Sequence, residues 1–270
     1  MRRRAPSVLA ATALVSVLSY CGGITRGTPI SVDLVLVPAV SEGTVDRFST
    51  ASGWTIELDE AAIALGPVWL YGGGARAALT PDLGLGLPSA VAHPADDTFD
   101  RGEVLGELLA QVAVDLKAPS TSMGRLEGFE GDLQTFELQL RPAGFGPIAG
   151  AAVQTLGTST FRLAGRATKD GRTVPFLAEG DLPELNDQQV IDSIPATVTL
   201  AAAQAGAGPL NLHLLLDEWL GLVDFARLPD EGAPTDSEGR YLFNPDAQPT
   251  AALHRGMRSR FAYRLEWTSP

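Results

Sequence analysis

The dominant rhythm along this chain is a period of two. "SVDLVLV" (31–37) opens the folded part as a strand. In "WTIEL" (54–58), Trp54, Ile56 and Leu58 share one face, while Thr55 and Glu57 share the other. "AAIAL" (61–65) continues that strand through a turn or bulge, and "PVWLY" (67–71) is a short apolar strand. In "TFELQLR" (135–141), Phe136, Leu138 and Leu140 alternate with Thr135, Glu137, Gln139 and Arg141. "TFRLAGRA" (160–167) sets Phe161 and Leu163 against Arg162 and Arg166. Successive strand side chains point to opposite faces, so one apolar face per strand predicts sheets packed on a shared core.

Turn chemistry adds connectivity. "TKDGR" (168–172) supplies an Asp-Gly turn, and "TVPFLAE" (173–179) returns with Val174 and Phe176 inward, which predicts a hairpin. Pro175 places the returning strand at an edge or bulge. "TVTL" (197–200), "LNLHLLLD" (210–217) and "RFAYRLEW" (260–267) are further strands. In the last, Phe261, Tyr263, Leu265 and Trp267 are expected to face one way. "GEVLGELLAQVAVDLK" (102–117) fits both a strand and a helical stripe, and Gly102, Gly106 and the valines favour the strand. Short helices are expected at 217–228, with Asp217 as N-cap, and at 249–257. About ten strands broken by Gly, Pro and Asp turns predict an all-β chain. The expected form is a single β-sandwich, jelly-roll or immunoglobulin-like, with long loops and one or two short helices. Neither a repeat nor a Ser/Gly-rich linker divides residues 31–270. The stretch 72–102 is long enough without regular structure to suggest a functional loop.

The first residues follow a different logic. Arg2, Arg3 and Arg4 precede an apolar run at 8–18 that is too short to span a bilayer, and Cys21 follows. This reads as a signal peptide over 1–20 and an anchor linker over 21–30. "LSYC" resembles the lipobox of bacterial lipoproteins, although Tyr20 stands where that family prefers a small residue. The resemblance implies lipidation at Cys21 and attachment to the membrane through the N-terminal lipid. Gly22 and Gly23, in place of an aspartate, imply the outer membrane of the cell envelope. The alternative is ordinary cleavage, giving a secreted or periplasmic protein. Cys21 is the only cysteine, so the chain can hold no internal disulfide. Setting aside the three leader arginines leaves 17 of the 20 basic residues against 32 acidic ones, a net charge of −15. Such a field repels phosphate backbones and excludes nucleic acid as a partner.

Candidate chemistry centres on "AHPADDTFDRGE" (92–103). Proline after His93 keeps that residue out of helical geometry, so the loop presents the imidazole. His93 with Asp96, Asp100 and Glu103 is a nitrogen and oxygen donor set suited to a divalent transition metal such as Zn or Cu. The spacing does not match an EF-hand, and HExxH is absent. If 102–117 is a strand, Glu103 and Glu107 lie about 13 Å apart on one face and cannot share an ion; if it is a helix, they lie on adjacent turns and could. The competing reading is a solvated acidic loop. His213 reads as an exposed or hydrogen-bonded strand histidine, and His254, beside Arg255 near the C-terminal strand, reads as a residue without a ligand role. "YGGGARAAL" (71–79) lacks the lysine and hydroxyl of a P-loop, and no G-x-S-x-G elbow occurs. Trp54, Trp69, Trp219 and Trp267 could form a sugar-stacking platform, but Trp54 and Trp267 are in phase with apolar faces.

"GWTIELDEAAIALGPVWLY", "AHP" with "RGEVLGE", "KDGRTVPF" and "LDEWLGLVDFARL" together resemble a group of uncharacterised secreted lipoproteins of Gram-negative bacteria. That group tends to carry a second histidine shortly after His-Pro, which implies a metal-binding loop; Asp96 stands at about that position here. The expectation is a noncatalytic envelope lipoprotein that binds a divalent transition metal. The alternatives are a structural lipoprotein that contacts an envelope protein partner, and a carbohydrate-binding module.

Overall fold

The computed structural model describes residues 27–73, 102–143, 148–182 and 189–268. Among them the chain is all-β with short helices. The first strands are β1 (Pro29–Ala39), β2 (Gly43–Thr44), β3 (Arg47–Ser49), β4 (Thr55–Leu65) and β5 (Val68–Gly72). There follow β6 (Glu103–Leu108), β7 (Gln111–Asp115), β8 (Thr121–Phe129), β9 (Gly131–Gln139), β10 (Ile148–Ala149) and helix α1 (Val153–Leu156). Next come β11 (Phe161–Lys169), β12 (Arg172–Gly180), β13 (Val190–Pro195), β14 (Thr199–Leu200), α2 (Ala202–Ala205) and β15 (Leu210–Leu215). The chain finishes with α3 (Leu216–Leu220), α4 (Arg227–Asp230), β16 (Tyr241–Leu242), α5 (Gln248–Met257), a 3₁₀ turn (Arg260–Ala262) and β17 (Tyr263–Trp267).

Two sheets share one core. The nine-stranded sheet runs β13-β9-β5-β6-β8-β1-β15-β17, with β14 also on β9. The eight-stranded sheet runs β10-β7-β4-β11-β12-β16, with β2 and β3 stacked beside β4. The expected faces meet between them: Leu34, Leu36, Phe136, Leu138 and Leu212 from the first, Ile56, Ile63, Phe161, Leu163 and Phe176 from the second. The nine-stranded sheet curls until its ends approach. Trp267 Nε1, on β17, donates to the Thr199 carbonyl on β14 at 3.0 Å, and Arg260 pairs with Asp192 of β13 at 3.2 Å.

Local chemistry explains the breaks in the rhythm. On β4, Glu60 pairs with Ala164 and Leu58 with Gly165, so Asp59 is the extra residue of a bulge. That bulge resets the phase and lets both Leu58 and Ala61 point inward. Asp170 (φ 51°) and Gly171 (φ 78°) form the two-residue turn between β11 and β12. Pro175 lies on a strand whose outer side is paired only at Phe176 and Leu177, where a missing N–H costs least. The segment 102–117 is extended, but it is two strands in different sheets. Leu109 and Ala110 turn the corner from β6 to β7, next to the corner from β4 to β5 at Gly66–Pro67, whose peptide is cis.

Two local expectations are corrected. Phe261 does not join the inward series of Tyr263 and Leu265. Ser259 Oγ accepts from the Phe261 N–H and caps a 3₁₀ turn, leaving Phe261 80 % exposed. Asp217 is not the N-cap of α3, since Leu215 holds that position. Instead Asp217 Oδ2 accepts from the Ser41 N–H at 3.0 Å, tying α3 to the loop after β1.

The strand directions give the nine-stranded sheet two distinct ends. At the upper end β1 begins, β5 stops at Gly72, β6 starts at Glu103 and β8 ends at Phe129. At the lower end α3, α5 and the 3₁₀ turn pack over the core with Trp219, Leu220, Leu253 and Met257 buried. The helices approach so closely that a Cβ on Gly256 would lie 2.2 Å from the Trp219 carbonyl.

Candidate functional site

The four residues expected to hold a metal are not all within the described chain. His93, Asp96 and Asp100 lie outside the described residues, as does Cys21. Glu103 is the exposed first residue of β6, directly opposite Gly72 of β5. The connection carrying His93 therefore leaves and re-enters the framework at one hydrogen-bonded pair of neighbouring strands. That pair sits at the end where β1 begins, and there Glu130 N–H donates to the Thr28 carbonyl at 2.9 Å. Among the described residues no group of three His, Cys, Asp or Glu side chains could hold a metal ion.

The two described histidines sit apart on different elements. His213 lies on the outer face of β15, where Nε2 is 3.4 Å from Glu266 Oε2. Burial holds its pKa below the ordinary value, Glu266 opposes that shift and Arg264 adds to it. His254 sits half-buried on α5 with its ring edge-on to Phe161, centroids 5.8 Å apart. Burial, and then the Arg258 charge, lower its pKa. Both environments disfavour the imidazolium, which suits a neutral packed ring.

The outer face of the nine-stranded sheet carries an arrangement that strand-by-strand reading does not reveal. Trp69 on β5 pairs with Glu137 of β9 on one side and Glu107 of β6 on the other. Glu107 pairs in turn with Glu127 of β8, and Glu127 with Ser31 of β1. The result is a transverse row Glu137, Trp69, Glu107, Glu127, Ser31. Ser31 Oγ donates to Glu127 Oε1 at 2.8 Å. Glu137 is only 2 % exposed, and the Tyr71 hydroxyl donates to its Oε2 at 3.1 Å. Trp69 is half-buried between two carboxylate-bearing strands. The signal for the row is a pairing register between strands distant in sequence, which no local pattern contains. The other tryptophans are unsuited to a platform. Trp54 and Trp219 are core residues, and Trp267 is packed against the core with its N–H engaged.

On the outer face of the eight-stranded sheet, ion pairs form a clasp. Arg162 binds Glu60 at 2.8 Å and also Glu179, and Arg240 binds Asp236 at 2.7 Å and reaches Glu60 at 3.6 Å. The Arg162 hydrogen bond holds the Glu60 carboxyl below its usual range, against the effect of burial. These charges satisfy one another and fasten the loop before β16 to the sheet, an arrangement suited to structure rather than catalysis. A cleft of about 220 Å³ between α4 and the start of α5 is lined by Arg227, Glu231, Pro234 and Asn244. It is smaller than the ~300–1,000 Å³ of typical ligand sites, and Arg227 is already engaged by Glu231 at 3.3 Å. Among the described residues no helix is long and apolar enough to cross a membrane. Compared with protein-family models, curated proteins and solved structures, the chain matches none of them.

Proposed function

We propose that the chain is a noncatalytic binding protein of the bacterial cell envelope, anchored through a lipid on Cys21, with a divalent transition metal as ligand of His93, Asp96, Asp100 and Glu103. The observation that carries this reading is the closure of the long connection at Gly72 and Glu103, on the end of the framework from which the chain departs toward Cys21. Glu103 extends from a rigid strand, while the remaining donors belong to the connection itself, a division between framework and loop common in binding proteins. Cys21 and its flanking sequence support attachment to the outer membrane. The finer fold assignment, one jelly-roll or immunoglobulin-like sandwich, is part of the same proposal and is supported by the main core that the two sheets share, with a smaller buried cluster around Ala62, Ala113 and Leu156 beside it.

Elemental analysis of protein purified without a histidine tag tests the metal reading. One equivalent of Zn or Cu in the natural chain, and its loss in His93→Ala, is expected. Metal-free protein that fails to take up either ion sinks the reading. Lipid attachment is tested separately by fatty-acid labelling, which Cys21→Ser abolishes if the anchor is real.

A glycan-binding reading is favoured by one specific observation. Trp69 stands between Glu137 and Glu107, on strands whose backbones are about 10 Å apart across β5. An indole can stack on a sugar ring while the exposed Glu107 carboxylate beside it accepts hydroxyls, with Glu137 buried and engaged by Tyr71. A glycan array with natural and Trp69→Ala protein decides it: tryptophan-dependent binding would replace the metal reading.

A further inference from the structure

The nine-stranded sheet comes close to closing on itself, and its margins are β13 with β14 on one side and β17 on the other. Followed from strand to strand, the pairings make β13, β14 and β17 run the same way, from the lower end to the upper. β17 and the 3₁₀ turn before it lie against β13. Among the described residues no ladder and no other backbone hydrogen bond crosses this seam. Two side-chain ties span it. Arg260 pairs with Asp192 near the lower end, both about half exposed, and the Trp267 indole N–H donates to the Thr199 carbonyl near the upper end. The β13 margin is itself interrupted. Its register on β9 skips Asp192 and Ser193, and Ser193 stands in the left-handed region at φ 51°, which costs a residue other than glycine.

The upper tie is continuous with the place where the chain enters the framework. Shortly after Leu200 ends β14, Ala202 opens α2. The Glu130 carboxylate, in the turn between β8 and β9, accepts from the Ala202 N–H at 2.8 Å, and the Glu130 N–H donates to the Thr28 carbonyl at 2.9 Å. The Ala202 N–H, and then the Thr28 side chain, hold the Glu130 carboxyl below its usual range. Gly27 passes so close that a Cβ there would lie 3.0 Å from the Glu130 carbonyl oxygen. Thr28, Glu130, Ala202, Thr199 and Trp267 thus form a path from the chain entry, through the start of α2 and β14, to the opposite margin of the sheet. Its links are the hydrogen bonds Thr28–Glu130, Glu130–Ala202 and Thr199–Trp267, with a short run of backbone from Thr199 to Ala202.

We propose that this path is a latch: Glu130, gripped by the entering chain, holds β14 against β17, and breaking the path lets the margin 190–200 swing open as one unit. Little besides the path opposes the motion. The Arg260–Asp192 pair is exposed and screened by salt, and β13 and β14 keep only short, interrupted ladders to β9. Segments with few ladder bonds open below the global transition. Once open, β13 and β17 each present a strand edge of unpaired backbone groups, the form in which a sheet takes up a further strand. Closed, the latch keeps those two edges turned toward one another.

Hydrogen exchange of the full chain, followed by mass spectrometry, tests the latch. Amides of residues 190–200 are expected to exchange by a local opening, faster than those of the β11–β12 hairpin, and faster again at about 1 M salt, where the Debye length is about 3 Å. Glu130→Ala and Trp267→Phe, toward the two ends of the path, should each speed exchange over 190–200 roughly two- to tenfold, the effect of one lost hydrogen bond, and leave the hairpin unchanged. Glu130→Gln keeps an acceptor oxygen and should restore most of the protection. A merely local role for Glu130 would confine the change in Glu130→Ala to residues 27–30 and 201–206, and that result overturns the proposal. So does a natural chain in which 190–200 is as protected as the hairpin, or exchange there that ignores Trp267→Phe. Trp267→Phe leaves Glu130 in place, so it decides the matter if Glu130→Ala fails to fold.

Discussion

His213 lies on the outer face of β15 beside the Glu266 carboxylate, as an exposed or hydrogen-bonded strand histidine would, whereas His254 packs on the core ring of Phe161. Their pKa values are lowered in the folded chain, chiefly by burial. A base with a depressed folded pKa binds a proton more readily when unfolded. Their contribution is therefore complete above the unfolded value of about 6.5 and is lost as pH falls through that value toward the folded one. Urea midpoints measured from about pH 7.5 to about pH 5 should fall with acidification. His254→Gln should flatten part of that fall, and a slope identical to the natural chain would contradict the packing described for this ring. Phe261 makes the converse point. In sequence it is in phase with Tyr263 and Leu265, yet Ser259 caps a turn that rotates it out of the series. A hydroxyl two residues upstream outweighs periodicity at the end of a strand, where only one pairing partner constrains the backbone.

At the scale of elements, the most legible feature was the hairpin of β11 and β12. Its turn requires positive φ at both central positions, and Asp170-Gly171 supplies it. Least legible was the segment 102–117. Its alternation signalled extended backbone correctly, but nothing local marked Leu109-Ala110 as a corner between sheets. The corner is built by a distant residue. Gly66 has φ +109°, and a Cβ there would lie 2.2 Å from the Ala110 carbonyl oxygen. Gly171, by contrast, has open space around it, so only its backbone conformation is at stake. Gly171→Ala should cost about 1 kcal/mol. Gly66→Ala combines strain with a collision between two backbones and should cost about 3 kcal/mol or more. Urea denaturation of the two variants checks the ordering; equal losses would mean that the two corners are not in contact. The row Glu137, Trp69, Glu107, Glu127 was hidden for a related reason. Each residue is plainly on a polar face, but their alignment depends on registers between β9, β5, β6 and β8.

For the whole molecule, the period of two sufficed to place the chain in the all-β class and to identify its inward residues. It could not show that one sheet takes nine strands and curls toward itself, because β1 and β15 join in parallel across most of the sequence. The resulting body has unlike ends. Helices α3 and α5 cover the lower one, and the chain enters at the upper one beside the mouth of the connection that carries His93. The proposed site was legible only as donor types and spacing. Of its four residues Glu103 alone falls within the described chain, and its strand fixes where that donor starts. The acidic balance of the molecule favours cations in general and selects none. Selection by imidazole is the specific part of the account, so the decisive measurement is thermal unfolding of the full, untagged chain with Zn or Cu titrated in. A ligand at about 100 times its Kd contributes about 2.7 kcal/mol, enough to raise the midpoint by several degrees. The account predicts that rise in the natural chain and none in His93→Ala. An unchanged midpoint in the natural chain, or an equal rise in both, would contradict it.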